Sequence, residues 1–452
     1  MSSVAPDRVQ AAAELVEDLR ASGVELVRIS YPDLHGVCRS KDVPIAAAEH
    51  ALEHGMAQTE AIMTVDLRHN VVDGFEHGFR DFREVPDLGT VVRLPDDPTV
   101  AWCLADGVSA DGEPFPLDPR GALQRAISAL AAHGYEPIAG PEYEFYLVEP
   151  GTWRPYVGHD SSVYTCGAVA DPAGVLREIV RCAGSLGLQP TFATQEYGRG
   201  QYEVNLLHGP ALDASDRAFR LKALCKEVAS RHGLLATFMG QLGNDDEGSG
   251  FHLHVSLADT AGENGFAAAD GEDGLSDVAR RFAAGILAHM PALTAFLNPT
   301  VNAYRRFVVE SLAPTHVNWG LENRLALLRF PDERAAATRL EIRSGDGTAN
   351  PYLVTAAVLN AGRDGIEREL DLPGPPVEGN PYENEEAALG QPLPNSLDQT
   401  LDALEGDAWL REAMGPELVD TFVVIKRYEL DRWNAELAKV TEWERREYAH
   451  HL

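Results

Sequence analysis

Cysteine is sparse and poorly placed for bonding. The 452 residues include five, Cys38, Cys103, Cys166, Cys182 and Cys225, scattered and without a Cys-x-x-Cys spacing. That argues against a disulfide framework and for reduced thiols in a cytoplasmic protein. Long apolar runs are missing too. No stretch approaches the ~20 residues of a membrane span, and the first residues lack a basic segment followed by an apolar one. Positive charge is scarce, with 38 Lys and Arg against 70 Asp and Glu, a formal net charge of −32. A field of that sign repels phosphate backbones and anionic lipid, so neither nucleic acid nor a membrane is expected as a partner. It repels nucleoside triphosphates as well, so a nucleotide site here must carry its own cations. The Gly-rich loop at 243–250 is acidic and lacks Gly-Lys-Ser/Thr, which excludes a Walker-type phosphate cradle. There are no internal repeats and no coiled-coil heptads.

What remains is ample for a large core: 44% hydrophobic residues in a chain long enough for two or three domains. Val9, Ala12, Ala13, Val16 and Leu19 predict a helix over 7–22 that stops at Gly23. Residues 25–31 alternate as a strand, and 32–36 make a turn. One helix with several short strands up to about residue 104 predicts a small α+β domain. A Pro- and Gly-rich linker follows at 111–117, and Asp118 with Pro119 starts a new helix. Residues 370–391 read as an exposed loop, and helices return from Ser396, ending in one charged helix around 428–446.

Four segments carry charge on one strand face, because residues i and i+2 point the same way. Glu142 and Glu144 share a face. Glu196 and Glu203 flank a Gly-containing turn and can converge. His252, His254 and Ser256 oppose Phe251, Leu253, Val255 and Leu257, and Arg339, Glu341 and Arg343 alternate with Leu340 and Ile342. Each could be a solvated surface. Carboxylates crowded on a rigid sheet, however, repel one another unless cations neutralise them. Five glutamates and one histidine form a hard, oxygen-rich set suited to Mg²⁺ or Mn²⁺. The neighbouring arginines suit phosphate or carboxylate.

These segments resemble the signature blocks of the glutamine synthetase superfamily, in order and across nearly the whole chain. Gly-x-Glu-x-Glu-Phe stands at 140–145, Glu…Gly-Gln-x-Glu at 196–203 and Gly-Ser-Gly-x-His-x-His-x-Ser-Leu at 248–257. Asn-x-Tyr-x-Arg follows at 302–306, Asn-Arg…Arg-x-Pro at 323–331 and Arg-x-Glu-x-Arg…Ala-Asn-Pro-Tyr at 339–352. The resemblance implies an α+β fold: an N-terminal β-grasp domain (1–113) and a catalytic domain (114–452) whose curved antiparallel sheet forms a funnel. It implies two or three Mg²⁺ or Mn²⁺ ions per subunit, with ATP as co-substrate. Glu144, Glu196 and Glu203 would hold the first metal, and Glu142, His252 and Glu341 the second. His254, Ser256, Arg329 and Arg339 would contact ATP. Arg306, Arg324 and Arg343 would bind glutamate or the transferring phosphoryl group, Arg324 and Arg343 acting in catalysis. A dodecamer of two hexameric rings, with sites between neighbouring subunits, is also implied.

Two positions depart from the family pattern, and both concern the amine. The Asp of the N-terminal Phe-Asp-Gly-Ser-Ser falls on Gln58, and the flap glutamate of Gly-Tyr-Glu-Ala-Pro falls on Leu312. The resemblance then shifts toward γ-glutamyl-amine synthetases, ligases that couple glutamate to an organic amine such as ethanolamine or a polyamine. Gln58 and Leu312 would border that amine, and Glu60 would suit the far ammonium of a diamine. The alternatives are a true glutamine synthetase using ammonia and a catalytically silent structural or regulatory homologue. Tyr382 lies near where some family members are adenylylated, in different surroundings.

Overall fold

A computed structural model describes residues 6–158, 161–271, 273–308, 312–383 and 390–448. In the N-terminal part, α1 (Pro6–Ala21) and α2 (Ile45–His54) pack on one face of a six-stranded sheet. Its strands are β1 (Leu26–Pro32), β2 (Cys38–Pro44), β3 (Met56–Thr59), β4 (Asp81–Pro86), β5 (Val92–Arg93) and β6 (Val100–Val108). They run in the order β2-β1-β6-β4-β3, with β5 beside β6; β1 and β6 are parallel and the other pairs antiparallel. Alternation gives this sheet two apolar faces. Ala101, Cys103 and Ala105 of β6 pack with Val16, Ile29 and Leu52 under the helices. Val100, Trp102 and Leu104 of the same strand join the main core. Two helices cover the sheet where the sequence predicted one.

Asp118 caps α3 (Pro119–Ala131) by accepting from the Arg120 backbone N–H at 3.0 Å. The long strand β7 (Glu136–Val148) then begins a nine-stranded sheet with β8 (Pro190–Gln195), β9 (Gln201–Leu206), β10 (Gly209–Pro210), β11 (Leu235–Thr237), β12 (Gly250–Ala258), β13 (Trp319–Leu321), β14 (Leu328–Phe330) and β15 (Leu340–Asp346). The order is β13-β14-β15-β12-β7-β9-β8, with β10 and β11 paired to β7. Every pair is antiparallel except β13 with β14 at the edge.

Behind the sheet lie α4 (Val175–Ser185), α5 (Ala211–Arg231), α6 (Asp277–Leu297) and α7 (Pro351–Glu367), followed by α8 (Leu397–Gly406), α9 (Ala408–Met414), α10 (Pro416–Leu437) and α11 (Glu442–Tyr448). Helices α6 and α7 touch backbone to backbone, since a Cβ on Gly285 would lie 2.1 Å from the Ala361 carbonyl oxygen. The single C-terminal helix expected from sequence is two, broken between Leu437 and Glu442. Of the loop expected at 370–391, residues 384–389 lie outside the described residues, and the rest is not simply exposed: Val377 is buried, and the Asn323 amide donates to the Val377 and Gly379 carbonyls at 3.1 and 2.9 Å.

A buried cation joins the two sheets. The Arg120 guanidinium binds Asp216 of α5 at 2.9 and 2.8 Å, Asp87 at 2.8 Å, and Asp106 of β6. Three carboxylates from both halves of the molecule share one fully desolvated arginine, so its removal leaves uncompensated buried charge. Among the described residues, no helix is long and apolar enough to cross a membrane.

Candidate active site

The register of the large sheet lines the charged residues into one row. Glu203 of β9 lies opposite Glu144 of β7, Glu142 opposite His252 of β12, His254 opposite Glu341 of β15, and Glu341 opposite Arg329 of β14. Tyr143, Phe145, Phe251 and Ile342 alternate with them and are buried in the core behind. Each strand is thus amphipathic, and hydrophobic burial of one face fixes the other as a row of ligands.

Within this row, two triples of ligand atoms converge within 4.8 Å: Glu142, Glu203 and His252, and Glu142, His254 and Glu341. The two histidines differ in kind. Arg339 Nε donates to His254 Nδ1 at 3.3 Å, which leaves the proton of a neutral ring on Nε2, donated to Glu142 Oε1 at 3.1 Å. His254 is therefore a link between Arg339 and Glu142. His252 Nδ1 stands 3.6 Å from Glu142 and 3.9 Å from Glu341, too far for strong hydrogen bonds and suited to sharing an ion between them.

The carboxylates are desolvated and repel one another. Burial, followed by repulsion from Glu142, Glu144 and Glu196, pushes Glu203 up to about 9. Burial with Glu144 and Glu142 pushes Glu196 up to about 7. Burial opposes ionisation of Glu142 and Glu341 too, but His252 and His254 hold Glu142 well below the usual carboxylate range. Arg343, with the two histidines and Arg329, holds Glu341 at about 2. A buried group of hard oxygen donors that cannot all ionise unaided fits divalent cations.

Gly250, the first residue of β12, keeps this space open. A Cβ on Gly250 would meet Glu144 Oε1 at 3.1 Å, His252 Nε2 at 3.2 Å and Arg306 Nη2 at 3.5 Å, which brings buried Arg306 to the row. Arg343, also buried, binds Glu341 at 2.5 Å and donates through Nε to the Arg324 carbonyl at 2.9 Å. Arg324 itself is exposed, close enough to lower the charge cost of Glu196. Arg329 bridges Glu341 at 2.7 Å and Glu322, and Ser256 is half-buried two positions beyond His254 on β12.

The catalytic-domain profile of glutamine synthetase matches residues 116–448. The chain belongs to the glutamine synthetase family. It is 37% identical to the glutamine synthetase of Pyrococcus furiosus over 94% of this chain and 97% of that protein. Against the glutamine synthetase of Halobacterium salinarum it is 35% identical, over 96% and 95%. A solved structure described as "Apo GmaS without ligand" superposes with a TM-score of 0.86 at 35% identity, covering 96% of this chain and 99% of that one. The protein is thus an ATP-dependent carbon–nitrogen ligase, of a family that uses glutamate, an amine or ammonia, and divalent metal ions.

Within one chain, the residues expected to border the amine do not join the row. Gln58 lies in β3 beside Glu84, and Glu60 is buried next to it. Among the described residues, neither has a contact reaching Glu142, Glu203 or His252. Leu312 is 54% exposed, in the loop after Arg306; its neighbours Glu310 and Ser311 lie outside the described residues. Tyr382 is half-buried, its hydroxyl held by Thr315. Sequence reasoning gave no role to Gln201, whose amide donates to Glu144 Oε2 and to the Gly248 carbonyl, both at 3.0 Å. Its i−2 relation to Glu203 was the available signal. It also passed over Glu322, the second partner of Arg329, which sits in a turn with no periodicity to flag it.

Proposed function

We propose that this ligase joins the γ-carboxylate of glutamate to a small organic primary amine, giving a γ-glutamyl amide. The observation that carries the reading is Leu312, an exposed apolar side chain where the family pattern has a carboxylate. Gln58 is a second neutral replacement on the same side. The activating half keeps its full set, Glu142, Glu144, Glu196, Glu203, His252 and Glu341, with Arg306, Arg324, Arg329, Arg339 and Arg343. Drift toward a silent homologue would spread losses over both halves, and nothing structural calls for carboxylates that repel one another in a buried row. The likeness to GmaS, a γ-glutamylmethylamide synthetase, supports the same direction.

In this reading Glu144, Glu196 and Glu203 hold one divalent ion and Glu142, His252 and Glu341 another. When bound, such ions supply positive charge to the transferring phosphoryl oxygens. Arg343, Arg324 and Arg306 hold the carboxylates of glutamate, and Arg339 with His254 faces the nucleotide. The γ-carboxylate oxygen bonds to the terminal phosphorus of ATP and ADP leaves. The amine nitrogen then bonds to the acyl carbon as the C–O bond breaks, releasing phosphate and a proton. Arginines fixed by Glu341 and Glu322 need no reorganisation as charge develops, which is where a preorganised site gains most.

The test is ATP-dependent phosphate release with glutamate and a panel of methylamine, ethanolamine, putrescine, spermidine and ammonium, with products weighed by mass spectrometry. Ethanolamine or another short monoamine is expected to exceed ammonium by at least tenfold in kcat/KM. The rival reading, a glutamine synthetase using ammonia, has the names of the Pyrococcus and Halobacterium relatives in its favour. Ammonium matching every organic amine would establish it instead. Phosphate release with none of them would establish the silent homologue.

A further inference from the structure

The sequence contains only five lysines, Lys41, Lys222, Lys226, Lys426 and Lys439. Three of them, Lys222, Lys226 and Lys426, line one cavity of about 320 Å³ on the far side of β7 from the ligand row. No Asp or Glu is among its lining residues. In a chain of net charge −32, that local inversion of sign is the opposite of what chance placement gives.

The rest of the wall is apolar: Leu34 and Val37 from the β1–β2 turn, Leu235 on β11, Phe296 at the end of α6, and Leu353 and Phe422 from α7 and α10. Buried Asp346 acts on Lys222, whose ammonium is held by burial well below the usual lysine range; the other nearby carboxylates are paired. Lys426 Nζ is paired with Glu429 at 3.1 Å and donates to His35 Nδ1 at 3.1 Å. His35 holds its own proton on Nε2, toward the Val65 carbonyl, and burial with Lys426 brings it down to about 3, so it stays neutral. Asp33, behind the turn, is taken by Arg39 at 2.8 Å. Lys222 Nζ gives two of its three donors to the Gly347 and Ala349 carbonyls at 3.0 Å each and sits 4.9 Å from the Tyr143 ring. Lys226, at the mouth, has no hydrogen bond or ion pair among the described residues; its ammonium stands 5.9 Å from the Phe238 ring.

We infer that this cavity is a binding site for an amphipathic organic anion, with a carboxylate or phosphate head at Lys226 and an apolar body among Leu34, Val37, Leu235 and Phe422. An apolar wall with a few convergent charges is the usual chemistry of a small-ligand pocket of this volume. Lysine ammonium, a compact point charge, suits either head group. The site shares no residue with the funnel. Its ligand would lie against the back of the strand carrying Glu142 and Glu144, since Tyr143 stands between those two and covers Lys222.

Calorimetric titration of the full-length protein with octanoate, octyl phosphate and the neutral 1-octanol tests this. At least one of the two anions is expected to bind at one site per chain, and which one binds identifies the head group. Octanol is expected to bind at least tenfold more weakly. Lys226→Met should weaken the anion at least tenfold and Lys226→Arg should largely retain it. Both variants should keep the parent's melting temperature and amide-forming rate, since Lys226 lies at the pocket mouth. No saturable binding of either anion, equal binding of octanol, or an affinity unmoved by Lys226→Met would overturn the assignment. The first of these results is also what a segment of a second copy filling the pocket would give.

Discussion

Near pH 7 a primary amine reaches this site mostly as its ammonium ion, and its nitrogen attacks only after losing a proton. With Leu312 in place of the family's flap carboxylate, that position has no group to take the proton. The free-base fraction of the amine should therefore set its apparent affinity. The KM for the amine is expected to fall by about tenfold per pH unit between about pH 7 and 9, with kcat changing little. Leu312→Glu should flatten that slope by supplying a local base. Initial-rate profiles for the two proteins at several pH values decide it, and parallel slopes would remove Leu312 from the amine site. Arg343 gives a second test at this scale. Its guanidinium meets Glu341 through Nη1 and the Arg324 carbonyl through Nε, a two-point hold that lysine cannot copy. Arg343→Lys is expected to lower kcat/KM for glutamate by at least about a hundredfold, roughly the loss of 2.7 kcal/mol of transition-state stabilisation. An unchanged value for glutamate would assign Arg343 to structure alone.

Strands, more than single residues, explain what the sequence revealed. The alternation of Glu142, Glu144, His252, His254, Glu341 and Arg343 with apolar neighbours was legible because period two survives folding: one face is buried, so the other must point together. The cross-strand partners were not legible, since register is set by pairing between distant segments. The link through His254 from Arg339 to Glu142 and the place of Gln201 became visible only with the register. The break between α10 and α11 was hidden because charged residues run across it without a Pro or Gly. The loop at 370–391 read as exposed because its anchors, Val377 and the Asn323 amide, lie some fifty residues apart. Two element-scale tests follow. Gly250→Ala crowds Glu144 and His252 at the start of β12, so half-maximal activity should need at least tenfold more Mg²⁺ while the melting point of the metal-free protein shifts little. A large stability loss with unchanged Mg²⁺ dependence would contradict this. In the small sheet, burial drives Glu84 of β4 up to about 7, partly offset by Gln58 and Lys41, and neither carboxylate oxygen has a hydrogen bond of ordinary geometry. A raised folded pKa means the folded state holds the proton longer than the unfolded chain. The stability this contributes is complete below about pH 4.5 and lost as pH rises through about 7. Glu84→Gln should thus raise the melting point by a few degrees at pH 8 and hardly at pH 5, as calorimetry can read; equal shifts at both would point to packing.

At the scale of the whole molecule, the residues proposed for the two halves of the reaction do not meet within one chain. The row from Glu203 to Arg329 belongs to the large sheet, whereas, among the described residues, Gln58 in β3 and Glu60 in the turn just after it have no contact to it. The N-terminal sheet is not loosely attached. Arg120 grips Asp87, Asp106 and Asp216, the Asn350 amide donates to the Asp33 carbonyl at 3.0 Å, and Arg432 pairs with Asp66. A hinge that swings Gln58 onto its own funnel would have to break these links, and stranding a partner in the buried Arg120 cluster alone costs several kcal/mol. The cheaper arrangement is a ring in which each chain's N-terminal sheet faces its neighbour's funnel, as the family resemblance implies. Exposed Leu437, Val440 and Trp443 around the α10–α11 break give a further apolar surface for such an assembly. Two separately inactive variants distinguish the arrangements. Glu203→Gln disables the funnel, and Gln58→Arg places a cation against the incoming ammonium. If the halves come from different chains, subunits co-expressed in equal amounts and mixed at random give about a quarter of sites with both halves intact. Activity should recover to about that fraction in an assembly that light scattering shows to be oligomeric. If each chain completes its own site, every chain in the mixture carries one defect and no activity returns. Recovery that persists in a monomer would refute the shared site as directly as no recovery in a ring.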